Sequence, residues 1–270
     1  MIRRAFLIVL VLGVSPLFAA GYGKFHFGKV TFEPIDAFAY QVEREDKPVT
    51  IVILTDFKIN RPAVLAEINT PGALIMQAAD KGSLVIVKLA EPGKCAVGAF
   101  LGPTQKDLGL GESNPAKTTV STSARIAGEC WTSKPEKMFD DVYDFHLTYD
   151  VPITAIPRPD KLPAGGGEAG AAYVKLVNAI KTSNWDVAHA HLSPDQSPAE
   201  RPKDMKSYFE GLALNYPKTV TIDGGFVKGD RANIAVHGID HDGKKIKGLV
   251  ALKKVGAQWQ VQEQNFYFGQ

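Results

Sequence analysis

The stretch RANIAVHGIDHDGKKIKGLVAL, residues 231–252, places two alternating runs around an Asp-Gly turn, the pattern of a β-hairpin. A two-residue turn at 242–243 mixes polar and apolar side chains on each face. A type I turn closed by Gly243 in the left-handed region instead pairs Asp240 with Lys244. We predict this second register because it makes one face wholly apolar or small. Its cross-strand pairs are Val236 with Gly248, Ile234 with Val250, and Ala232 with Leu252.

Helices are predicted before this hairpin, and further strands flank it. Apolar residues recur at helical spacing from Tyr173 to Trp185, and a second helix begins near Lys203. The strands cover residues 220–227, 232–239, 246–254 and 258–268. The side chains expected to point away from the helices are Asn233, Ala235, His237, Lys245 and Lys247. Residues 172–270 are therefore expected to form an α+β domain.

Three short motifs mark this domain: NWDVA at 184–188, GDRANIAV at 229–236 and GAQWQV at 256–261. With the order of two helices and an antiparallel meander, the domain resembles the nuclear transport factor two-like superfamily, which includes SnoaL-like enzymes. The resemblance implies a cone in which helices pack on a curved antiparallel sheet. Since the superfamily contains enzymes as well as binding and interaction modules, the resemblance implies no particular function.

The inner face of the expected cone is apolar, and its members form the candidate pocket. They are Ile234, Val236, Val250, Leu252 and Trp259, flanked by Ala232 and Val261, with Tyr208 as the polar handle. Enzymes of the superfamily usually place an Asp or His inside the cone, and this chain departs from that pattern. We therefore assign no catalytic residue, and we leave open whether the cone is filled or open.

The N-terminal domain, residues 21–151, is predicted to be all-β and sandwich-like. Short β-branched or aromatic runs lie at 30–33, 37–43, 49–55, 84–89, 96–101, 118–127 and 141–149. Two helical breaks are expected at 63–68 and 73–79. A linker is predicted at 152–171, where four prolines precede Gly165, Gly166 and Gly167.

The first twenty residues resemble an export signal. Arg3 and Arg4 precede an apolar stretch at 5–14, and small residues follow up to Gly21. We expect cleavage near Gly21 and a location in the periplasm or outside the cell, with an uncleaved anchor as the alternative. The general secretory route is favoured over the twin-arginine route. Without residues 1–20 the basic and acidic side chains balance, which does not favour a nucleic-acid partner.

The cysteine and histidine residues are the candidates for a disulfide, a metal site or a nucleophile. Cys95 and Cys130 are an even pair in an exported chain, so a disulfide is predicted. His189 and His191 are two apart on a helix end and point in different directions, while His237 and His241 flank a turn. His146 shares a strand face with Asp144 and Asp150, as polar outer faces commonly do. We expect no metal and no cofactor.

The sequence favours an exported, non-catalytic binding or interaction protein. Its partner is expected to be a protein or a small apolar ligand, without nucleic-acid binding and without stable membrane insertion after signal removal. The alternative is a small-molecule-binding protein or an enzyme that uses the cone-shaped pocket of the C-terminal domain.

Overall fold

The structure is a computed structural model that describes residues 20–44, 47–102, 106–111 and 113–268. In it, the hairpin has the register that the turn residues predict. Gly243 has a φ of 80°, and its N–H donates to the carbonyl of Asp240 at 3.3 Å. The N–H of Asp240 donates to the carbonyl of Lys244 at 3.0 Å. The predicted pairs are confirmed: Val236 with Gly248, Ile234 with Val250, and Ala232 with Leu252.

The chain divides into two compact units. The first contains the residues up to Asn60 and Pro71–Ile156, and the second contains Arg61–Thr70 and the residues from Pro157 onward. Residues 1–19, which include nearly all of the expected signal peptide, lie outside the described residues. The domain bounds predicted from the sequence, 21–151 and 172–270, stay predictions.

The N-terminal part of the described chain is mostly β-strand. Its elements are β1 (Ala20–Phe27), β2 (Val30–Phe32), β3 (Asp36–Arg44), β4 (Lys47–Thr55), α1 (Arg61–Ala66), α2 (Thr70–Lys81), β5 (Ser83–Leu89), β6 (Lys94–Leu101), β7 (Lys106–Gly109), β8 (Asn114–Ser121), β9 (Arg125–Trp131), β10 (Glu136–Met138) and β11 (Asp141–Pro152).

Strands β1 to β11 form one curled antiparallel sheet with the order β2-β1-β11-β9-β8-β6-β5-β4-β3, to which β7 and β10 are added beside β6 and β11. A parallel bridge joins Ala39 to Ile153, and the N–H of Thr154 donates to the Ala39 carbonyl at 2.7 Å. Strand β3 therefore lies against the end of β11. The enclosed core includes Phe25, Val52, Leu54, Val85, Leu101, Leu147 and Tyr149.

The predicted strands and helical breaks of the N-terminal part overlap elements of the structure, with one main exception. The run at 118–127 is not a single strand, because β8 ends at Ser121 and β9 begins at Arg125. Thr122 makes the turn between them: its hydroxyl accepts the N–H of Arg125 at 3.0 Å. The sequence analysis also missed the short strands β7 and β10, and β1, whose glycines hide the alternation of Phe25 and Phe27.

The predicted disulfide between Cys95 and Cys130 is present. Cys95 lies on β6 and Cys130 on β9, with Cα atoms 6.6 Å apart and both side chains buried. Strand β8 pairs with both strands, through Asn114 beside Cys95 and Ala116 beside Cys130. The bridge indicates that the protein folds in an oxidising compartment.

The C-terminal part of the described chain has five strands and three helices. Its elements are β12 (Asp160–Leu162), α3 (Gly167–Lys181), α4 (Trp185–His191), α5 (Met205–Asn215), β13 (Thr219–Lys228), β14 (Arg231–Ile239), β15 (Lys245–Val255) and β16 (Gln258–Phe268). The strands form an antiparallel sheet in the order β12-β13-β14-β15-β16. Within the expected linker at 152–171, β12 pairs with β13 and α3 begins.

The expected first helix of this part is broken into α3 and α4. Helix α3 ends at Lys181, and Ser183 has a left-handed φ of 52° that no helix interior contains. Asn184 then starts α4, because its side-chain oxygen accepts the N–H of Val187 at 3.3 Å. The single helix predicted through Trp185 is therefore wrong, and Asn184 is the cap that explains the break.

Candidate functional site

The five apolar residues of the candidate pocket lie in the core of the second unit. Strands β14, β15 and β16 direct them to one face of the sheet, together with Tyr173 and Leu176 of α3 in the same apolar cluster. Their exposed fractions are 0% for Ile234, 3% for Val236, 0% for Val250, 2% for Leu252 and 7% for Trp259. These side chains contact each other and the helices more than they contact solvent.

Tyr208, the expected polar handle, is half-buried on α5. Its ring meets the Trp185 ring edge-on with centroids 5.4 Å apart. Its hydroxyl is buried and makes no well-formed hydrogen bond among the described residues. Burial raises the pKa of Tyr208, while the nearby Ser197 side chain opposes that rise. The hydroxyl is therefore neutral at physiological pH.

His189 is joined to the loop that follows α4. Its Nδ1 lies 2.7 Å from the hydroxyl oxygen of Ser197, and its ring stacks on Trp185 with centroids 4.9 Å apart. A serine beside a histidine is the geometry of an activated nucleophile. Here the Ser197 side chain is buried, so the pair anchors the loop to α4 and does not present a hydroxyl to a substrate.

His191 is buried at the end of α4 and faces β16. Its Nδ1 lies 2.9 Å from the backbone carbonyl oxygen of Trp259. Because a carbonyl oxygen only accepts, this contact assigns the proton to Nδ1 and leaves Nε2 unprotonated in the neutral ring. His191 also borders a depression of about 450 Å³ that Lys175 shares.

A cation and a carboxylate close one side of that depression. Lys254 lies 3.0 Å from Glu168, and its Nζ is 5.6 Å from the centroid of the Trp259 ring. The Lys254 ammonium group, with the Trp259 indole adding to it, holds the pKa of Glu168 below its ordinary value. The Glu168 side chain is 77% exposed, so the two charges form a surface ion pair that solvent screens.

A second, apolar groove lies between α3 and α5. Its volume is about 770 Å³, and its floor is made of Val177 and Ile180 from α3 with Phe209 and Ala213 from α5. Tyr216 closes one end. Positions 205, 209 and 213 are four residues apart, which places them on one face of α5. We name this site the α3–α5 groove.

Met205 and Phe209 are four residues apart in the sequence, which puts them on one helix face but does not by itself indicate a site. The missing signal is the position of α5 beside α3, since a groove needs two elements to form it. None of the residues proposed for the candidate pocket from the sequence lines the α3–α5 groove.

The polar strand face around His146 is occupied by ion pairs. Asp150 accepts two hydrogen bonds from the Arg125 guanidinium group, one of them from Nε at 2.6 Å. His146 Nε2 lies 2.9 Å from Glu129 instead of binding Asp150. Over the ranges that the structure describes, no group of three or more His, Cys, Asp or Glu side chains is placed to hold a metal ion.

No family model, curated protein or solved structure matches this chain. The assignment of function therefore depends on the geometry of the described side chains. None of the described helices combines the length and apolar character that a membrane span requires.

Proposed function

We propose that the protein is an exported, non-catalytic binding protein that takes a small apolar molecule in the α3–α5 groove. One observation carries this proposal: a concavity of about 770 Å³ lies over Val177, Ile180, Phe209 and Ala213 of the two helices, although the first three side chains are themselves nearly buried. Exposed apolar concavities commonly mark ligand sites, and about 770 Å³ is within the usual range of roughly 300–1,000 Å³.

Export is supported by two independent features. The arrangement of Arg3, Arg4 and the apolar stretch at 5–14 is that of a signal peptide. The Cys95–Cys130 bridge needs an oxidising compartment. We assign the mature protein to the periplasm or the extracellular space.

The second unit is proposed to be a nuclear transport factor two-like cone. Its helices precede an antiparallel meander, as the resemblance implies, and its inner sheet face is apolar. In this proposal the ligand lies outside the sheet core. Val250 and Trp259 stabilise the fold and do not contact the ligand.

The non-catalytic assignment follows from the state of the candidate reactive groups. Ser197 is buried against His189, and Glu168 is paired with Lys254. His191 is 8% exposed and held through Nδ1 at the Trp259 carbonyl, so little of its imidazole is accessible to a substrate. General acid–base or nucleophilic chemistry needs such a group within reach of a substrate.

The test is titration of the mature protein with Nile red, a neutral apolar dye whose emission rises in apolar sites. Saturable binding to the folded protein is expected. Ala213→Trp fills the groove and should abolish that binding. Leu214→Trp is the matched control, because Leu214 is the next residue of α5, is 79% exposed and lies outside the groove. Both variants should retain the wild-type melting temperature.

The proposal is wrong if wild-type protein gives no saturable signal, or if Ala213→Trp binds the dye as wild type does. Loss of dye binding in Tyr208→Phe, with Ala213→Trp unaffected, would place the ligand beside Tyr208 and favour the cone pocket.

A further inference from the structure

The rim of the α3–α5 groove carries more positive than negative charge. Lys181 at the end of α3, Lys206 on α5 and Lys218 before β13 border the same groove. His241 at the hairpin turn lies on the rim as well. Glu210 is the one carboxylate among the described lining residues. The apolar floor is thus bordered by an excess of cationic groups.

These cations are only partly neutralised by the protein. Lys206 lies 3.9 Å from Glu210, one helical turn further along α5. In the described part of the chain, Lys181 and Lys218 take part in no ion pair. Their ammonium groups are exposed, so their chains can reorient towards a ligand without breaking an existing contact.

The acidic residues beside the rim in sequence are engaged elsewhere. Asp204 caps α5 by accepting the N–H of Ser207 at 3.0 Å. Asp242 lies 3.5 Å from Lys244, and Asp240 accepts the Lys244 N–H at 2.8 Å. These three carboxylates are therefore engaged with groups other than Lys181 and Lys218.

We propose that the ligand of the α3–α5 groove is an amphipathic anion, a free alkyl carboxylate of fatty-acid type. Its chain lies on Val177, Ile180 and Phe209, and its carboxylate is bound by Lys181 and Lys218. Burial of the alkyl chain on the apolar floor supplies affinity, while the lysines select the charge. This inference rests on the proposed function, because it names the ligand class of the same groove.

The test displaces Nile red with three ten-carbon compounds of different charge, each below its micelle concentration: decanoate, decanol and decyltrimethylammonium. Decanoate should displace the dye at a concentration at least about tenfold lower than the cation, with decanol between them. Raising the ionic strength should reduce the advantage of decanoate, because salt screens exposed charges.

Substitution of the two lysines tests whether they cause the preference for an anionic ligand. The double variant Lys181→Gln/Lys218→Gln should bind decanoate about fivefold or more weakly and should bind decanol as the wild type does. Lys175→Gln is the matched control, since Lys175 is exposed on the same helix α3 but lies outside the groove. Decanoate should displace the dye from this variant at the same concentration as from the wild-type protein.

The outcomes separate this inference from the proposed function. Saturable dye binding with equal displacement by all three compounds would overturn the anion assignment and leave the apolar site intact. No dye binding would overturn the proposed function itself. Co-sedimentation with phosphatidylglycerol vesicles, without displacement by free decanoate, would overturn the free carboxylate in favour of a lipid surface.

Discussion

The imidazole Nδ1 of His191 lies 2.9 Å from the backbone carbonyl oxygen of Trp259, which joins the end of α4 to the start of β16. The two residues are 68 positions apart in the chain. Both side chains are buried, so the bond is shielded from water. It fixes the last strand of the sheet against the helices.

Removing this hydrogen bond should destabilise the protein. His191→Leu leaves the Trp259 carbonyl without its partner, and we expect a loss of about 1–3 kcal/mol in the free energy of unfolding. Urea denaturation at neutral pH measures it. His237→Leu is the control, since His237 pairs with Asp223 at the surface and its loss should change stability little. Equal losses in the two variants would contradict a special role for the buried bond.

The second prediction concerns the apolar face of the sheet. Trp259→Ala removes a side chain that is 7% exposed, and we expect a loss of about 3–5 kcal/mol in unfolding free energy. Tyr267→Ala on the same strand β16 is the control, because Tyr267 is 58% exposed and should cost far less. A small effect of Trp259→Ala, coupled to weaker ligand binding, would show that Trp259 lines an open pocket.

The third prediction concerns the disulfide. Thiol labelling of unfolded, unreduced protein should be negligible because Cys95 and Cys130 are bridged. Reduction should lower the unfolding free energy by about 3–4 kcal/mol in the chain-entropy model. The double variant Cys95→Ala/Cys130→Ala should show a similar loss that no longer responds to reductant. Stoichiometric labelling before reduction would refute the bridge.

The fourth prediction is a pH dependence in the first unit. Hydrogen bonds from Arg125 hold the pKa of Asp150 below its ordinary value of 3.8. A carboxylate with a lowered folded-state pKa stabilises the protein above its unfolded pKa, and that stability is lost as pH falls through the folded pKa. Asp150→Asn should therefore be less stable than wild type at pH 7, with the difference disappearing in strong acid.

The effect should be small, because both side chains of this pair are more than a third exposed and solvent screens them. Urea denaturation midpoints at pH 7 and at about pH 2 measure it. Asp144→Asn on the same strand β11 is the control, since Asp144 has no ion pair among the described residues. A difference that grows towards acid pH would contradict the assigned sign.

Local patterns were sufficient for the hairpin and the disulfide. Asp240 and Gly243 fix the turn, and a one-residue slip would move Ile234 and Val250 to the solvent face, so only one register buries the apolar side chains. Each of the two cysteines has the other as its one possible partner within the chain. By contrast, the break at Ser183 depends on the cap that Asn184 makes for α4. The apolar spacing continues through this point, so helical periodicity alone does not show whether the chain forms one helix or two.

The sequence by itself determined which side chains are buried on β14 and β15, because alternation along a strand is a property of neighbouring residues. Only the tertiary structure decided that His191 meets Trp259 and that Lys181 and Lys218 border one groove. Those residues lie on separate elements, and their distances depend on how α3, α4 and α5 pack against one another and on the sheet. Packing of that kind is set by the summed fit of many side chains, which no local spacing records.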